Sequence, residues 1–269
     1  VSEGGPDAAM SFRLAARVAG IFDATVDALH LPVGPAGGAV GGLAMSGEAM
    51  PLIMNLDDER LEERAKESDR AYKEVLGSNA GSTYTAAETA TLDTLVAMGR
   101  CSDLLVLGRP GSDPENVAPA TVEAAIHECA RPVMIAPPNA GSGGFGSVIV
   151  AWNGSFQAAR AVEYSLPFLA KASAITILVV GSKAEDVGAS YLARNLGRHG
   201  IKTTIDAIDP GAVSGRARGR ALLDYTHGKG ADLLVMGAYG RGQVLSFLGL
   251  GGATGKVISS CRVPLLLAH

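Results

Sequence analysis

The chain has 269 residues, of which 47% are hydrophobic, 19% charged and only 5% aromatic, so its core is built from aliphatic side chains and alanine and suffices for one large or two ordinary domains. A formal net charge of -4 argues against a nucleic-acid partner held by bulk electrostatics. Three cysteines, Cys101, Cys129 and Cys261, without CxxC spacing form neither a disulfide framework nor a zinc site, which points to a reducing cytoplasm, and no apolar run approaches the ~20 residues that span a bilayer.

Read in order, the chain contains one unit twice. The segment Val1-Ser-Glu-Gly-Gly5 parallels Val150-Ala-Trp-Asn-Gly154. In this alignment the first strand of the first unit is nearly absent, and a few native residues are expected before Val1. Leu29-His-Leu-Pro32 ends a second strand. A long glycine-rich loop, Val33 to Asn55, follows, and then a charged amphipathic helix from Asp57 to Leu76. Asp103-Leu-Leu-Val-Leu-Gly108-Arg-Pro-Gly111 is a buried strand and turn, and it shares six identical positions with Asp232-Leu-Leu-Val-Met-Gly237-Ala-Tyr-Gly240. Cys129-Ala-Arg-Pro132 leads into a last strand, as does Cys261-Arg-Val-Pro264. Three blocks in one order, about 130 residues apart, mark a duplicated domain rather than a solenoid. Pro137-Pro-Asn-Ala-Gly-Ser-Gly-Gly144 has linker chemistry, which sets the domains at residues 1–138 and 146–269.

The second unit alternates strand and helix. Strands are expected at 147–152, 175–180, 203–208, 233–236 and 264–268. Helices are expected after Asn153-Gly-Ser155 (a turn and cap), from Ala189 to Gly200, from Gly219 to His227, and at Gly255 to Ser260. The first strand is continuously apolar, as in parallel sheets covered on both faces, while Thr203 to Ile208 alternates, as nearer an edge. Each unit is therefore an α/β domain with a doubly wound five-stranded parallel sheet. Such sheets bind ligands at the carboxyl ends of their strands, where Asn153, Val180 and Gly237 fall.

Gly237 to Thr254 is a glycine-rich stretch between a strand and a helix, the arrangement that cradles phosphate. In the first unit Gly111 is followed by Ser-Asp-Pro-Glu-Asn, and Asp113 and Glu115 there oppose an anion. One glycine loop, the second, is therefore expected to bind.

The Val-Ala-Trp-Asn-Gly-Ser start of the second unit, its Asp-Leu-Leu-Val-Met-Gly-Ala-Tyr-Gly block and its Val-Pro-Leu-Leu-Leu ending resemble the universal stress protein family, here in tandem. The resemblance implies two adenine-nucleotide alpha-hydrolase-like domains paired through their last strands as an internal pseudo-dimer. It implies a stress-response regulator binding ATP, ADP or AMP, with Mg among the accompanying ions. The family's nucleotide motif is Gly, two residues, Gly, nine residues, Gly, then Ser or Thr. Gly237 and Gly240 match its first pair, Gly251 follows after ten residues, and Gly252 stands where the hydroxyl residue is usual. Asn153 takes the place of an aspartate that contacts adenosine, and Val180 the place that supports the adenine. The site implied is Trp152, Asn153, Gly154, Val180, Gly237, Gly240, Arg241, Gly251, Gly252, Ala253 and Thr254, with phosphate on the N–H groups of Gly252, Ala253 and Thr254.

Each signal has a plainer reading. Glycines shape turns, Asn153 caps a helix, and Arg241 is a solvated surface arginine. Arg216, Arg218 and Arg220 with Lys229 form a solvated helix start rather than an anion site. The histidines show no metal spacing, and no Ser-His-Asp set or carboxylate pair stands out. A binding protein is thus expected rather than an enzyme. The alternatives are a nucleotide-independent interaction module and slow ATP hydrolysis. Further association into a homodimer stays open.

Overall fold

Among the described residues, strand and helix alternate within each half. The first half contains α1 (Ala8–Phe22), β1 (Asp27–Leu29), α2 (Met50–Val75), β2 (Thr83–Thr85), α3 (Leu92–Arg100), β3 (Leu105–Gly108), α4 (Pro119–Glu128) and β4 (Val133–Ala136). The second contains β5 (Ser147–Ala151), α5 (Phe156–Lys171), β6 (Ala174–Val180), α6 (Ala189–Arg198), β7 (Thr204–Ile208), α7 (Gly215–Gly228), β8 (Leu233–Gly237), α8 (Ala253–Ser260) and β9 (Leu265–Ala268). The structure, a computed structural model, describes residues 1–5, 8–32, 50–79, 81–110, 117–139, 141–211, 214–239 and 252–269, and the side chains of 50–58 are outside that description.

Seven strands form one sheet in the order β3-β4-β9-β8-β5-β6-β7. Every pair in it is parallel except β4 with β9, which runs antiparallel with Met134 opposite Leu266. β9-β8-β5-β6-β7 is the doubly wound order expected of the second half, and β4–β9 is the pairing of last strands expected between the halves. β1 and β2 pair separately as a parallel ribbon.

Residues 1 and 2 lie between that ribbon and β3. The Val1 nitrogen donates to Val106 O (2.8 Å), Ser2 N–H to Leu29 O (2.9 Å) and Leu31 N–H to Ser2 O (2.8 Å). In the second half Trp152 N–H donates to Leu178 O (2.8 Å) in the same way. Ser2 is thus the counterpart of Trp152, and the alignment of Val1 with Val150 is one residue out. Glu3 corresponds to Asn153, and Gly4 (φ +77) to Gly154 (φ +70). The ladder and the left-handed turn set the register, and a matching valine does not.

Alternation along the strands sends side chains to two faces. On β8, Leu234 and Met236 join the layer containing Leu95, Val122, Leu222 and Val257 from α3, α4, α7 and α8. Leu233 and Val235 join the opposite layer, with Leu14, Val162, Leu169 and Leu196 from α1, α5 and α6. Both layers run unbroken from one half into the other. No helix among the described residues is long and apolar enough to cross a membrane.

Helix starts differ from the sequence reading. α2 begins at Met50, so residues 50–55 are helical and not loop; Pro51 fits the first turn, where its missing N–H has no helical partner to lose. α7 begins at Gly215 because the Ser214 hydroxyl caps it, accepting from Ala217 N–H at 3.3 Å. α8 begins at Ala253, after Gly252. Of the loop read as Val33 to Asn55, residues 33–49 lie outside the described ones.

Met134 and Leu266 face each other across the junction, fully buried. Leu266→Ala is expected to lower stability by about 2–5 kcal/mol, read by urea denaturation. Cys129 and Cys261 are buried and Cys101 is exposed. Burial pushes the Cys261 thiol up to about 11 and raises Cys129 as well. Ellman's reagent is therefore expected to titrate only Cys101 in the native protein and all three thiols after unfolding.

Candidate functional site

In the second half, strand order reverses between β5 and β8, and their carboxyl ends lie side by side with that of β6. Crossover helices run back against their strands, so α5, α7 and α8 all begin at this edge. An open α/β sheet offers its ligand crevice at such a point.

Asn153 leaves β5 and secures the start of α5. Its Oδ1 accepts from Ser155 N–H (3.1 Å) and from the Ser155 hydroxyl (2.7 Å), and Ser155 Oγ in turn accepts from Ala158 N–H (3.2 Å). Ser155 is therefore the cap, and Asn153 buttresses it, exposed at the strand end. The Asn153 amide nitrogen makes no hydrogen bond among the described residues. Trp152 points elsewhere. It packs in the layer under α5 and α6 and donates from its indole to Val187 O at 2.7 Å, tying the β6–α6 connection to the end of β5.

Gly237 ends β8 directly beneath α5. A Cβ at Gly237 would stand 2.5 Å from Ala158 N and 2.7 Å from the Gln157 carbonyl carbon, so only glycine lets the first turn of α5 lie on this strand end. The Gln157 amide donates to Tyr239 O at 3.2 Å. Tyr239 has a left-handed backbone (φ +50) and is buried; burial pushes its hydroxyl pKa up, Glu123 adds to this, and the ring stays neutral. His127 of α4 packs against Tyr239 with its ring tilted and the centroids 5.2 Å apart, and His269 lies 4.4 Å from His127. The first half thus touches the segment entering the glycine loop.

At the far side of the loop, Gly252 is the buried N-cap of α8 and brings no side chain to cap it. The N–H groups of Ala253 and Thr254 have no side-chain acceptor among the described residues. α7 stands beside this start: a Cβ on Gly215 would lie 3.3 Å from Ala253 N, and one on Gly219 2.8 Å from Ala253 O. Two helix N-termini, that of α7 capped by Ser214 and that of α8 without a side-chain cap, each with a partial positive charge, are thereby placed together.

Val180 ends β6, half-buried against the layer of α7 and α8. The next residue, Gly181, donates to Ile208 O, and a Cβ on it would meet Arg218 Nε at 3.3 Å. Arg218 therefore crosses the end of β6 from α7, and it is exposed together with Arg216 and Arg220, as a solvated helix start should be, whereas Lys229 is the exposed C-cap at the other end of α7 and not part of that start. Next to it a cleft of about 570 Å³ opens beyond β6 and β7, lined by Ser182, Lys183, Glu185, Asp186 and Asp209. Gly240, Arg241 and Gly251 lie outside the described residues. No group of three or more His, Cys, Asp or Glu among the described residues could hold a metal.

Sequence reasoning passed over Gln157, Gly181, Gly215 and Tyr239. Gly215 and Gly219, four apart at a helix start, were a readable signal of close helix packing. Gln157 carried none.

No family model matches the sequence, and no curated protein matches it. Solved structures do match. A universal stress protein from Archaeoglobus fulgidus DSM 4304 is 18% identical, with 96% of this chain and 92% of that one covered at a TM-score of 0.62. A putative universal stress protein from Pseudomonas aeruginosa UCBPP-PA14 is 13% identical, with 95% and 86% covered at 0.54. A functionally unknown protein from Pseudomonas aeruginosa PAO1 is 12% identical, with 95% and 85% covered at 0.52. Both halves together thus have the fold of universal stress proteins.

The contact at Gly237 has a measurable consequence. Gly237→Ala is expected to lower stability by about 1–3 kcal/mol, read by denaturant unfolding, because the α5 backbone must move away from β8.

Proposed function

We propose that the chain is a tandem universal stress protein, with domains at residues 1–138 and 146–269. Its second domain binds one adenine nucleotide. The observation that carries this reading is the N-terminus of α8, which lacks a side-chain cap, beside the start of α7 at the sheet's switch point. In this reading Gly252, Ala253 and Thr254 hold phosphate through their N–H groups, and the Thr254 hydroxyl adds to them. Asn153, through its amide, and Val180 take the nucleoside, and Gly240, Arg241 and Gly251 complete the loop. Mg²⁺ arrives with the nucleotide, held by its phosphates and water.

What these residues can do is bind, and among the described residues no positioned general base accompanies them. In this reading occupancy regulates: a phosphate at the start of α8 acts on the segment that begins at the Tyr239–His127 contact, and so alters the surface where the halves meet. The proposed setting is the cytoplasm in a stress response.

Nucleotide-independent docking is a second reading, favoured by exposed Tyr191 on a cleft of about 440 Å³ between α5 and α6. Mass spectrometry of the denatured purified protein separates the two, since a binding protein carries nucleotide over. Calorimetric titration of ATP and AMP into nucleotide-free protein is expected to give one site per chain and a rise in Tm. Absence of both heat and thermal shift at millimolar nucleotide refutes the proposal.

A further inference from the structure

The counterpart of Asn153 in the first half is an acid, and it is buried. Glu3 is only 3% exposed. The chain turns after it at Gly4, whose backbone lies so close to α2 that a Cβ would stand 2.2 Å from Arg64 O. That turn aims Glu3 at the start of α4, the helix corresponding to α8.

Three groups meet its carboxylate there. Ala118 N–H, at the N-cap of α4, donates to Oε2 at 2.8 Å, and the Thr121 hydroxyl donates to Oε1 at 2.5 Å. The Arg64 guanidinium lies 4.0 Å from Oε2 and donates from Nε to the Glu3 carbonyl at 2.8 Å. The helix dipole of α4 adds a partial positive charge. Two hydrogen-bond donors, an ion-pairing guanidinium and the partial positive charge of a helix start together make a setting that holds an oxyanion.

We propose that the start of α4 is an anion site occupied by the chain's own Glu3 carboxylate, which closes the first half to a nucleotide phosphate. The site itself rests on the geometry of the first half alone; the statement about nucleotide rests on the function proposed above. Asp113 and Glu115 lie outside the described residues, and the closure does not depend on them. Burial pushes the Glu3 carboxyl above its ordinary range, while Thr121, Ala118 and Arg64 pull it back, so the ionised form depends on these donors. In the second half the equivalent Asn153 is turned to Ser155, and α8 keeps its N–H groups for an outside ligand.

Chemical rescue tests the internal ligand. Glu3→Ala empties the position and leaves its donors. At about pH 8, where a free carboxyl is ionised, this variant is expected to melt several degrees below the wild type. Acetate or formate, at constant ionic strength against chloride, is expected to restore most of that loss. Wild type and Glu3→Gln, whose position is filled, are expected not to respond. An unchanged Tm in Glu3→Ala, or an equal response to acetate in all three proteins, overturns the proposal. If Glu3→Ala is unfolded in plain buffer, the readout becomes recovery of the native circular dichroism spectrum on adding acetate, and failure to recover overturns it. Acetate rescue is measured without nucleotide, so failure here and failure of nucleotide binding in the second half are distinguishable.

Discussion

The pairing of β4 with β9 is the contact on which the molecule depends. Each half ends in a short apolar strand, Val133–Ala136 or Leu265–Ala268, buried along its whole length. Alone, either strand would present an unpaired apolar edge, which costs free energy and invites aggregation. Running antiparallel, each satisfies the other, and both helix layers become continuous across the seam. The edge a single domain would offer to a second copy is thereby used up within the chain. Among the described strands, β7 and β2 are the outer edges that remain. β7 has no buried position, its residues being exposed or half-buried, and β2 is three residues long.

The same constraint fixes where the halves differ. Their ladders superpose through Ser2 and Trp152, so Glu3 and Asn153 start from equivalent points and end differently. Glu3 is drawn into the donors at the start of α4. Asn153 stays at the surface and props Ser155. The departure from symmetry thus lies in one side chain and the helix start it does or does not meet, on an otherwise repeated frame.

Much of the frame is legible in the sequence. The strands of the second half are continuous apolar runs, except the alternating one at the edge, and the structure places them within a residue or two of where the pattern ends. Repetition made the duplication visible. What stays hidden is whatever depends on distant partners. β2 is Thr83-Tyr84-Thr85, exposed at both threonines, and no apolar run announces it. The start of α2 is masked by a glycine-rich approach, although Pro51 is a sign of a first helical turn. Similarity of valines suggested a register that the hydrogen bonds move by one residue. At the site, Gly237 can be read as a conformational requirement, yet its reason, the backbone of α5 lying against it, comes from 80 residues earlier in the chain. Glu3 looks like an ordinary surface acid until α4 and α2 enclose it.

The junction of β4 and β9 also bears on how the chain reaches its folded state. The two strands are separated by more than 120 residues, so their pairing closes a long loop and comes after the local strand–helix units. Until then each half carries an exposed last strand that another molecule's half satisfies equally well. Only residues 137–146 tie a half to its own partner. During refolding at high concentration the tether's effective concentration competes with that of neighbouring chains, and the losing outcome is a domain-swapped pair in which every interface is native and only the connectivity is wrong.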